Sequence, residues 1–71
     1  MMPYERTRLI EQRFKEAVSL IKRDAYNSSQ LAGKLNVSEG TIQRIIAELK
    51  FRGYVIRSIR DSQGWHYELE D

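Results

Sequence analysis

The stretch that decides the fold is VSEGTIQRIIAELKFRGY, from Val37 to Tyr54, which has the features of a capped amphipathic helix. Ser38 stands at the N-cap position, where a hydroxyl accepts a backbone N–H of the first turn, and Glu39 complements the positive end of the helix dipole. Gly53 follows the last turn as a C′ residue that can take the left-handed conformation. The pattern predicts a helix over about 38–52.

The two faces of this helix differ in character. Four aliphatic side chains recur at helical spacing and predict a buried face: Ile42, Ile45, Ile46 and Leu49. The opposite face carries small or hydrogen-bonding side chains that cover little apolar surface: Gly40, Thr41, Gln43, Arg44 and Ala47. Such a face is suited to contact with a partner outside the chain.

A short helix precedes this one. The pattern predicts it over about 28–35, with Asn27, Ser28 or Ser29 as its cap, and three residues face inward: Leu31, Ala32 and Leu35. Asn36 tolerates a left-handed backbone in the turn that follows, and Val37 then fills the angle between the helices. A short capped helix, a tight turn and a longer capped helix with a polar face have the sequence form of a helix-turn-helix.

The N-terminal segment predicts a long first helix over about 4–23, and Pro3 suits its first turn. Its apolar stripe comprises Ile10, Phe14, Ala17, Val18 and Ile21. About 20 residues span about 30 Å, more than a small three-helix core covers, so the first two turns are expected to project. Three apolar residues fall off this stripe and are interpreted either as edges of the core or as part of a contact with a second subunit: Tyr4, Leu9 and Leu20.

The C-terminal segment predicts a β-hairpin with strands over about 54–60 and 65–70, joined by turn chemistry at positions 61–64. If Arg60 pairs with Trp65, the register places apolar pairs on one face and opposite charges on the other. The pairs concerned are Ile56 with Leu69, Ser58 with Tyr67, and Arg57 with Glu68. The fold class is therefore mainly α with a small hairpin, an α+β arrangement of three helices and two strands.

Length and composition exclude several classes of protein. Seventy-one residues predict a single domain over 1–71, and the absence of cysteine excludes disulfides and thiolate metal sites. No apolar run reaches the roughly 20 residues of a membrane span, so a soluble cytoplasmic protein is expected. The net charge of +2 is too small to indicate a class of partner. Residues 34–60, however, carry six basic and two acidic side chains, a local charge of +4.

A family resemblance covers about residues 14–69. The run of Leu31-Ala32, Val37-Ser38, Thr41-Ile42, Arg44, Leu49, Gly53 and Val55-Ile56-Arg57, followed by the strand Trp65–Leu69, resembles the winged helix-turn-helix of bacterial DeoR-type and biotin-repressor-type regulators. The resemblance implies that the helix after the turn enters the major groove and that the hairpin forms a wing on the DNA backbone or minor groove. Two features depart from the family: Ile45 stands where DeoR-type proteins usually have an acidic residue, and these 71 residues contain no effector-binding domain.

The candidate DNA-contacting residues follow from this resemblance and from their chemistry. Arginine bonds bidentately to guanine and glutamine to adenine, while lysine and arginine neutralise phosphates. The candidates are Ser38, Glu39, Thr41, Gln43, Arg44, Lys50, Arg57 and Arg60, with Lys34 and Arg52 as further cations for phosphate. The competing interpretations are that Ser38 serves only as a cap and that the charged residues only solvate exposed faces.

The aromatic residues and the histidine of the hairpin receive structural interpretations. Trp65 and Tyr67 are expected to pack the hairpin against the third helix rather than to stack on unpaired bases. Arg60 could lie over the Trp65 ring. His66 is expected to be exposed to solvent, because no carboxylates stand at a metal-binding spacing around it. No nucleophile motif, paired acid and base or phosphate loop is present, so we expect no catalysis, no cofactor and no metal.

Two functions remain open from the sequence. The first is sequence-specific binding of double-stranded DNA by a transcriptional regulator, with a possible homodimer formed through the N-terminal helix. The second is a winged-helix protein-interaction module that makes no DNA contact, favoured by the modest net charge, by Glu48 on the third helix and by the acidic C-terminal residues. A steep salt dependence of partner binding distinguishes DNA from an apolar protein surface.

Overall fold

The computed structural model describes residues 3–70, with side chains from Arg8 onward, and consists of three helices followed by a hairpin. The elements are α1 (Pro3–Arg23), α2 (Ser28–Leu35), α3 (Glu39–Phe51), β1 (Val55–Asp61) and β2 (Gly64–Glu70). This arrangement confirms the predicted α+β winged helix-turn-helix. Three of the four strand ends differ by one residue from their predicted limits, and the end of β2 at Glu70 agrees. At the turn the difference arises because Asp61 pairs with Gly64, which leaves only Ser62 and Gln63 unpaired.

Local caps explain where the helices begin and end. The Asn27 side chain accepts the Gln30 N–H and the Gln30 side chain accepts the Asn27 N–H, so Asn27 caps α2 with a reciprocal capping box. Asn36 ends α2 in the left-handed conformation with a φ of 57°, as its position predicted. Gly53 has a φ of 105° and donates its N–H to the Lys50 carbonyl, which closes α3 and turns the chain into β1.

One hydrophobic core joins the three helices to the hairpin. Its buried members are Ala17, Ile21, Leu31, Ala32, Ile42, Ile45, Ile46, Leu49, Ile56 and Tyr67. All four aliphatic residues predicted for the inner face of α3 are among them. Val37 and Leu20 pack against this core from its edge, so the core-edge interpretation holds for Leu20.

The start of α1 lies beyond this core. Ile10, which the apolar stripe assigned to the buried face, is 47% exposed, and Leu9 is 63% exposed. The reason is geometric, because a 21-residue helix is about 31 Å long and the core needs only its second half. The side chain of Tyr4 lies outside the described part of the structure. No helix within residues 3–70 is both long enough and apolar enough to cross a membrane.

The hairpin register is the predicted one, with Ile56 opposite Leu69, Arg57 opposite Glu68 and Arg60 opposite Trp65. The packing of the hairpin differs from the prediction, because β2 packs mainly on α1 while β1 packs on α3. The Tyr67 N–H donates to the Tyr26 carbonyl at 2.8 Å, which ties β2 to the connection between α1 and α2.

The aromatic face of the hairpin is turned inward. The Trp65 and Tyr67 rings pack edge to face with centroids 4.9 Å apart, and burial raises the pKa of the Tyr67 hydroxyl. The cation–π contacts described within residues 8–70 are those of Lys34 with Tyr26 and Arg52 with Phe14, so Arg60 does not lie over Trp65.

Candidate nucleic-acid interface

The first turn of α3 is fixed by hydroxyl groups. Ser38 Oγ accepts the Thr41 N–H at 3.1 Å and lies 3.0 Å from Thr41 Oγ1, while the Ser38 carbonyl accepts the Ile42 N–H. Two of the predicted DNA-contacting side chains are therefore engaged in the helix cap. They hold the start of α3 in place, and each retains hydrogen-bonding capacity toward a partner because a hydroxyl has both a donor and two lone pairs.

Glu39 connects α3 to the start of α2. Its carboxylate accepts a hydrogen bond from Ser28 Oγ at 3.1 Å, and Ser28 is the one polar residue among those described that is buried. The carboxylate also lies at the positive end of the α3 dipole. Glu39 was predicted to contact DNA, and in the structure its carboxylate bonds to Ser28 and so joins α3 to α2.

The outer face of α3 consists of six exposed residues: Gly40, Gln43, Arg44, Ala47, Lys50 and Phe51. Four of them were predicted for this face, whereas Lys50 and Phe51 were not, and the fifth predicted residue, Thr41, is half-buried. Within residues 8–70, the side chains of Gln43, Arg44 and Lys50 make no hydrogen bond or ion pair. Long polar side chains without internal partners keep their full capacity for an external one. We call these six residues the outer face of α3.

The second carboxylate of α3 is drawn away from this face. Glu48 is half-buried and lies 3.4 Å from Arg52 Nε on the side of α3 that faces α1. With Glu39 bonded to Ser28 and Glu48 paired with Arg52, the acidic residues of α3 are both engaged within the protein. The charges left on the outer face are those of Arg44 and Lys50, which are both positive.

Arg52 links α3 to α1 instead of facing outward. Its guanidinium makes two parallel hydrogen bonds to the Glu11 carboxylate, at 2.8 and 2.9 Å, and lies 4.4 Å from the centroid of the Phe14 ring. These bonds lower the pKa of Glu11 and raise that of Arg52. Three groups of its own chain, Glu11, Phe14 and Glu48, thus engage Arg52, and the structure gives its predicted phosphate contact no support.

The wing presents a mixed surface. Arg57 pairs with Glu70 at 3.1 Å, on the diagonal, rather than with Glu68 directly opposite it. Arg60 has no ion pair or hydrogen bond among the described residues. At the tip, the Asp61 carboxylate accepts the Gln63 N–H at 2.8 Å and holds the turn closed. Arg60 is thus the freer of the two predicted wing cations.

The sequence predicted that His66 is exposed to solvent, and this prediction is wrong. Its side chain is only 15% exposed, with Nδ1 3.3 Å from Asp61 and Nε2 3.0 Å from Glu68. The histidine faces away from the core and lies between two carboxylates of the hairpin, a contact that depends on the strand register and the closed turn. Among the side chains that the structure describes, those of residues 8–70, no group of three or more histidine and carboxylate side chains is arranged to hold a metal ion.

Sequence reasoning missed two kinds of residue. The bonds of Glu11 with Arg52 and of Ser28 with Glu39 join separate elements, and no local pattern indicates them. Phe51 did have a signal, because it follows Arg44 by seven residues and therefore falls on the same side of the helix. A groove of about 310 Å³ lies between the end of α1 and β2, away from the outer face of α3.

Comparison with known proteins agrees with this architecture. A family model described as an HTH domain matches residues 13–66, which run from the middle of α1 into β2. No curated protein and no solved structure gives a significant match.

Proposed function

Because the chain belongs to the HTH domain family, a family of helix-turn-helix DNA-binding domains, we propose that it binds double-stranded DNA sequence-specifically as a transcriptional regulator. In this proposal residues 1–71 act as one winged helix-turn-helix domain. The outer face of α3 enters the major groove and the hairpin lies as a wing on the flanking backbone. A bacterial-type regulator of this kind works in the cytoplasm, where the DNA is.

The observation that carries the proposal is the division of charge on α3. Its two carboxylates are bonded to Ser28 and Arg52, whereas Gln43, Arg44 and Lys50 have no partner among residues 8–70. Three long donors without internal bonds match the acceptors of base edges and phosphates.

The proposed roles follow from side-chain chemistry. Arg44 and Gln43 read base edges, since their paired donors and acceptors suit guanine and adenine. Lys50 and Arg60 neutralise phosphates. Arg57 does the same once its ion pair with Glu70 is broken. Ser38 and Thr41 fix the first turn and can add a phosphate contact, and Glu39 positions α3 through Ser28.

The test is fluorescence anisotropy with duplexes selected from a random pool. Arg44→Ala removes a base contact and is expected to weaken binding at least tenfold, within the 1–3 kcal/mol of a bidentate pair. Gln43→Ala is expected to weaken it less. Arg13→Ala is the matched control, because Arg13 is an exposed arginine of α1 and is not part of the outer face of α3. Equal affinity of the Arg44→Ala and Arg13→Ala variants would refute the assigned face.

A protein-interaction module is the second candidate. Five large apolar residues are exposed among those described: Leu9, Ile10, Phe51, Tyr54 and Val55. Such residues suit a protein partner as well as a second subunit. The salt dependence of duplex binding separates the candidates, because phosphate contacts give an affinity that falls steeply with salt. No duplex binding at low salt would leave the interaction module as the better proposal.

We further propose that the projecting start of α1 forms a homodimer. Leu9 and Ile10 lie exposed directly before Glu11 and about one turn before Phe14, the two residues of α1 that contact Arg52. Two-fold pairing of this segment would place two copies of α3 on paired half-sites. Sedimentation velocity of a Leu9→Asp, Ile10→Asp variant is expected to give a monomer where the unaltered chain gives a dimer, and a monomer for both would contradict the proposal.

A further inference from the structure

Phe51 is the most exposed of the large apolar residues in the described part of the chain, at 87%. It is the last residue of α3, and its neighbour Arg52 turns toward α1 to reach Glu11 and Phe14. The Phe51 side chain is therefore separated from that contact by the 100° that one residue turns in a helix. Nothing in the core requires an aromatic residue at this position.

The position of Phe51 on the helix places it on the outer face of α3. It follows Gly40, Arg44 and Ala47 by eleven, seven and four residues, and each of these spacings is close to a whole number of turns at 3.6 residues per turn. These four residues form a line along the middle of the outer face, opposite the buried Ile42, Ile45 and Leu49. Phe51 and Ala47 are the apolar members at its C-terminal end.

The surroundings of this line favour DNA as the occupant over an apolar protein. Lys50 and Arg44 flank Phe51 and Ala47 and carry unpaired positive charge, while both carboxylates of α3 are bonded elsewhere. A surface that combines positive charge with a small apolar strip matches the major groove, where the thymine C5-methyl is the apolar group and phosphates border the groove.

We propose that Phe51, together with Ala47, reads thymine through its methyl group in the major groove. This inference rests on the proposed function, and it adds a specificity-determining residue to it. Seven residues of helix separate Phe51 from Arg44, an axial distance of about 10 Å, which corresponds to about three base-pair steps of roughly 3.4 Å. The thymine read by Phe51 is therefore about three base pairs from the base read by Arg44.

The test replaces thymine by uracil, which removes only the methyl group. Each thymine of a duplex selected by the unaltered protein is exchanged in turn, and affinities are measured for the unaltered chain and for Phe51→Ala. We expect one exchange to weaken binding of the unaltered chain about fourfold, the value of burying one methyl-sized group. The same exchange is expected to leave the affinity of Phe51→Ala nearly unchanged.

Val55→Ala is the matched control, since Val55 is an exposed apolar residue in β1. For the Val55→Ala variant, the exchange of thymine for uracil is expected to weaken duplex binding as much as it does for the unaltered chain. Thermal unfolding establishes that Phe51→Ala is folded, as expected for a side chain with little contact to the core.

Three results would overturn the inference: a selected site in which no thymine-to-uracil exchange matters, a Phe51→Ala variant with the same uracil effect as the unaltered chain, or a Phe51→Ala variant that changes only the oligomeric state. If one of these results is obtained while duplex binding still depends on Arg44, the proposed function is supported and only the role of Phe51 is refuted. Absence of any duplex binding would refute both.

Discussion

At the scale of single residues, the two exposed glycines of the helix-turn-helix show how stability and function can be separated. A Cβ added to Gly33 in α2 meets no atom within 4 Å, and one added to Gly40 in α3 meets only Ser38 Oγ at 3.8 Å, an ordinary contact. Neither residue is among those with a positive φ. The fold therefore does not require glycine at either position, although glycine in a helix costs up to about 1 kcal/mol relative to alanine.

We predict that Gly33→Ala and Gly40→Ala both stabilise the protein, by up to about 1 kcal/mol each. The gain is smaller for Gly40, which lies in the first turn of α3. Gly40→Ala is expected to weaken DNA binding because a methyl group is added on the outer face of α3, whereas Gly33→Ala is expected to leave it unchanged. Urea unfolding and duplex titration measure the two effects, and equal duplex affinity of both variants would argue against close approach of DNA at Gly40.

The N-cap of α3 gives a second prediction at this scale. Ser38→Ala removes the acceptor of the Thr41 N–H and the partner of the Thr41 hydroxyl, so we expect a loss of about 1 kcal/mol in the free energy of unfolding. Ser38→Asp, which can accept the same N–H and adds a charge favoured at the helix start, is expected to keep most of the stability. Urea denaturation of both variants checks the assignment, which fails if Ser38→Ala is as stable as the unaltered chain.

At the scale of elements, the bond between Arg52 and Glu11 joins the end of α3 to the middle of α1 and makes this contact sensitive to acid. The pKa of Glu11 is lowered in the folded protein by the Arg52 guanidinium, so the unfolded chain binds its proton more readily. The stability that this carboxylate contributes is present above its unfolded pKa and is lost as the pH falls through its folded pKa.

We therefore predict that Glu11→Gln is less stable than the unaltered chain at neutral pH and that the difference shrinks as the pH is lowered from about 5 to about 3. Glu16→Gln is the control, because Glu16 is an exposed carboxylate of α1 whose one hydrogen bond among the described residues is to Gln12 at 3.4 Å. Chemical denaturation at several pH values measures both. A stability difference for Glu11→Gln that is independent of pH would contradict the account.

The elements were the part of the fold that the sequence predicted best. The helix limits follow from local signals such as the cap at Ser38, the left-handed Asn36 and the C′ glycine Gly53, and these signals act within a few residues. The hairpin register followed in the same way from the turn at positions 61–64 and from the alternation of the strands. Local chemistry is visible in a sequence because the interacting groups are neighbours in the chain.

The polar side-chain contacts that join separate segments were not predicted, for a physical reason. Arg52 meets Glu11 across 41 positions, and His66 is enclosed by Asp61 and Glu68 only after the strands pair and the turn closes. Several carboxylates compete for each cation in a chain with ten acidic and twelve basic residues, and periodicity cannot choose among them. Which cations pair with a carboxylate decides which remain free to bind phosphate. Arg52 is paired within the protein, whereas Arg60 has no ion pair among the described residues.

At the scale of the whole molecule, the protein is elongated, with extents of 48 × 24 × 19 Å. The core is concentrated where α2, α3 and the hairpin meet the second half of α1, and the first half of α1 extends beyond it. The outer face of α3 and the projecting part of α1 belong to different elements. The proposed DNA contact and the proposed subunit contact can be tested independently for this reason.

The central claim is that DNA contacts the outer face of α3, and the most direct measurement is an amide NMR titration of the protein with a selected duplex. We predict that the largest shift changes fall on Gly40, Gln43, Arg44 and Ala47, with smaller changes at Arg60, and that they diminish together as salt is raised. Changes concentrated instead around Leu9 and Ile10 of α1, with α3 unaffected, would contradict the claim.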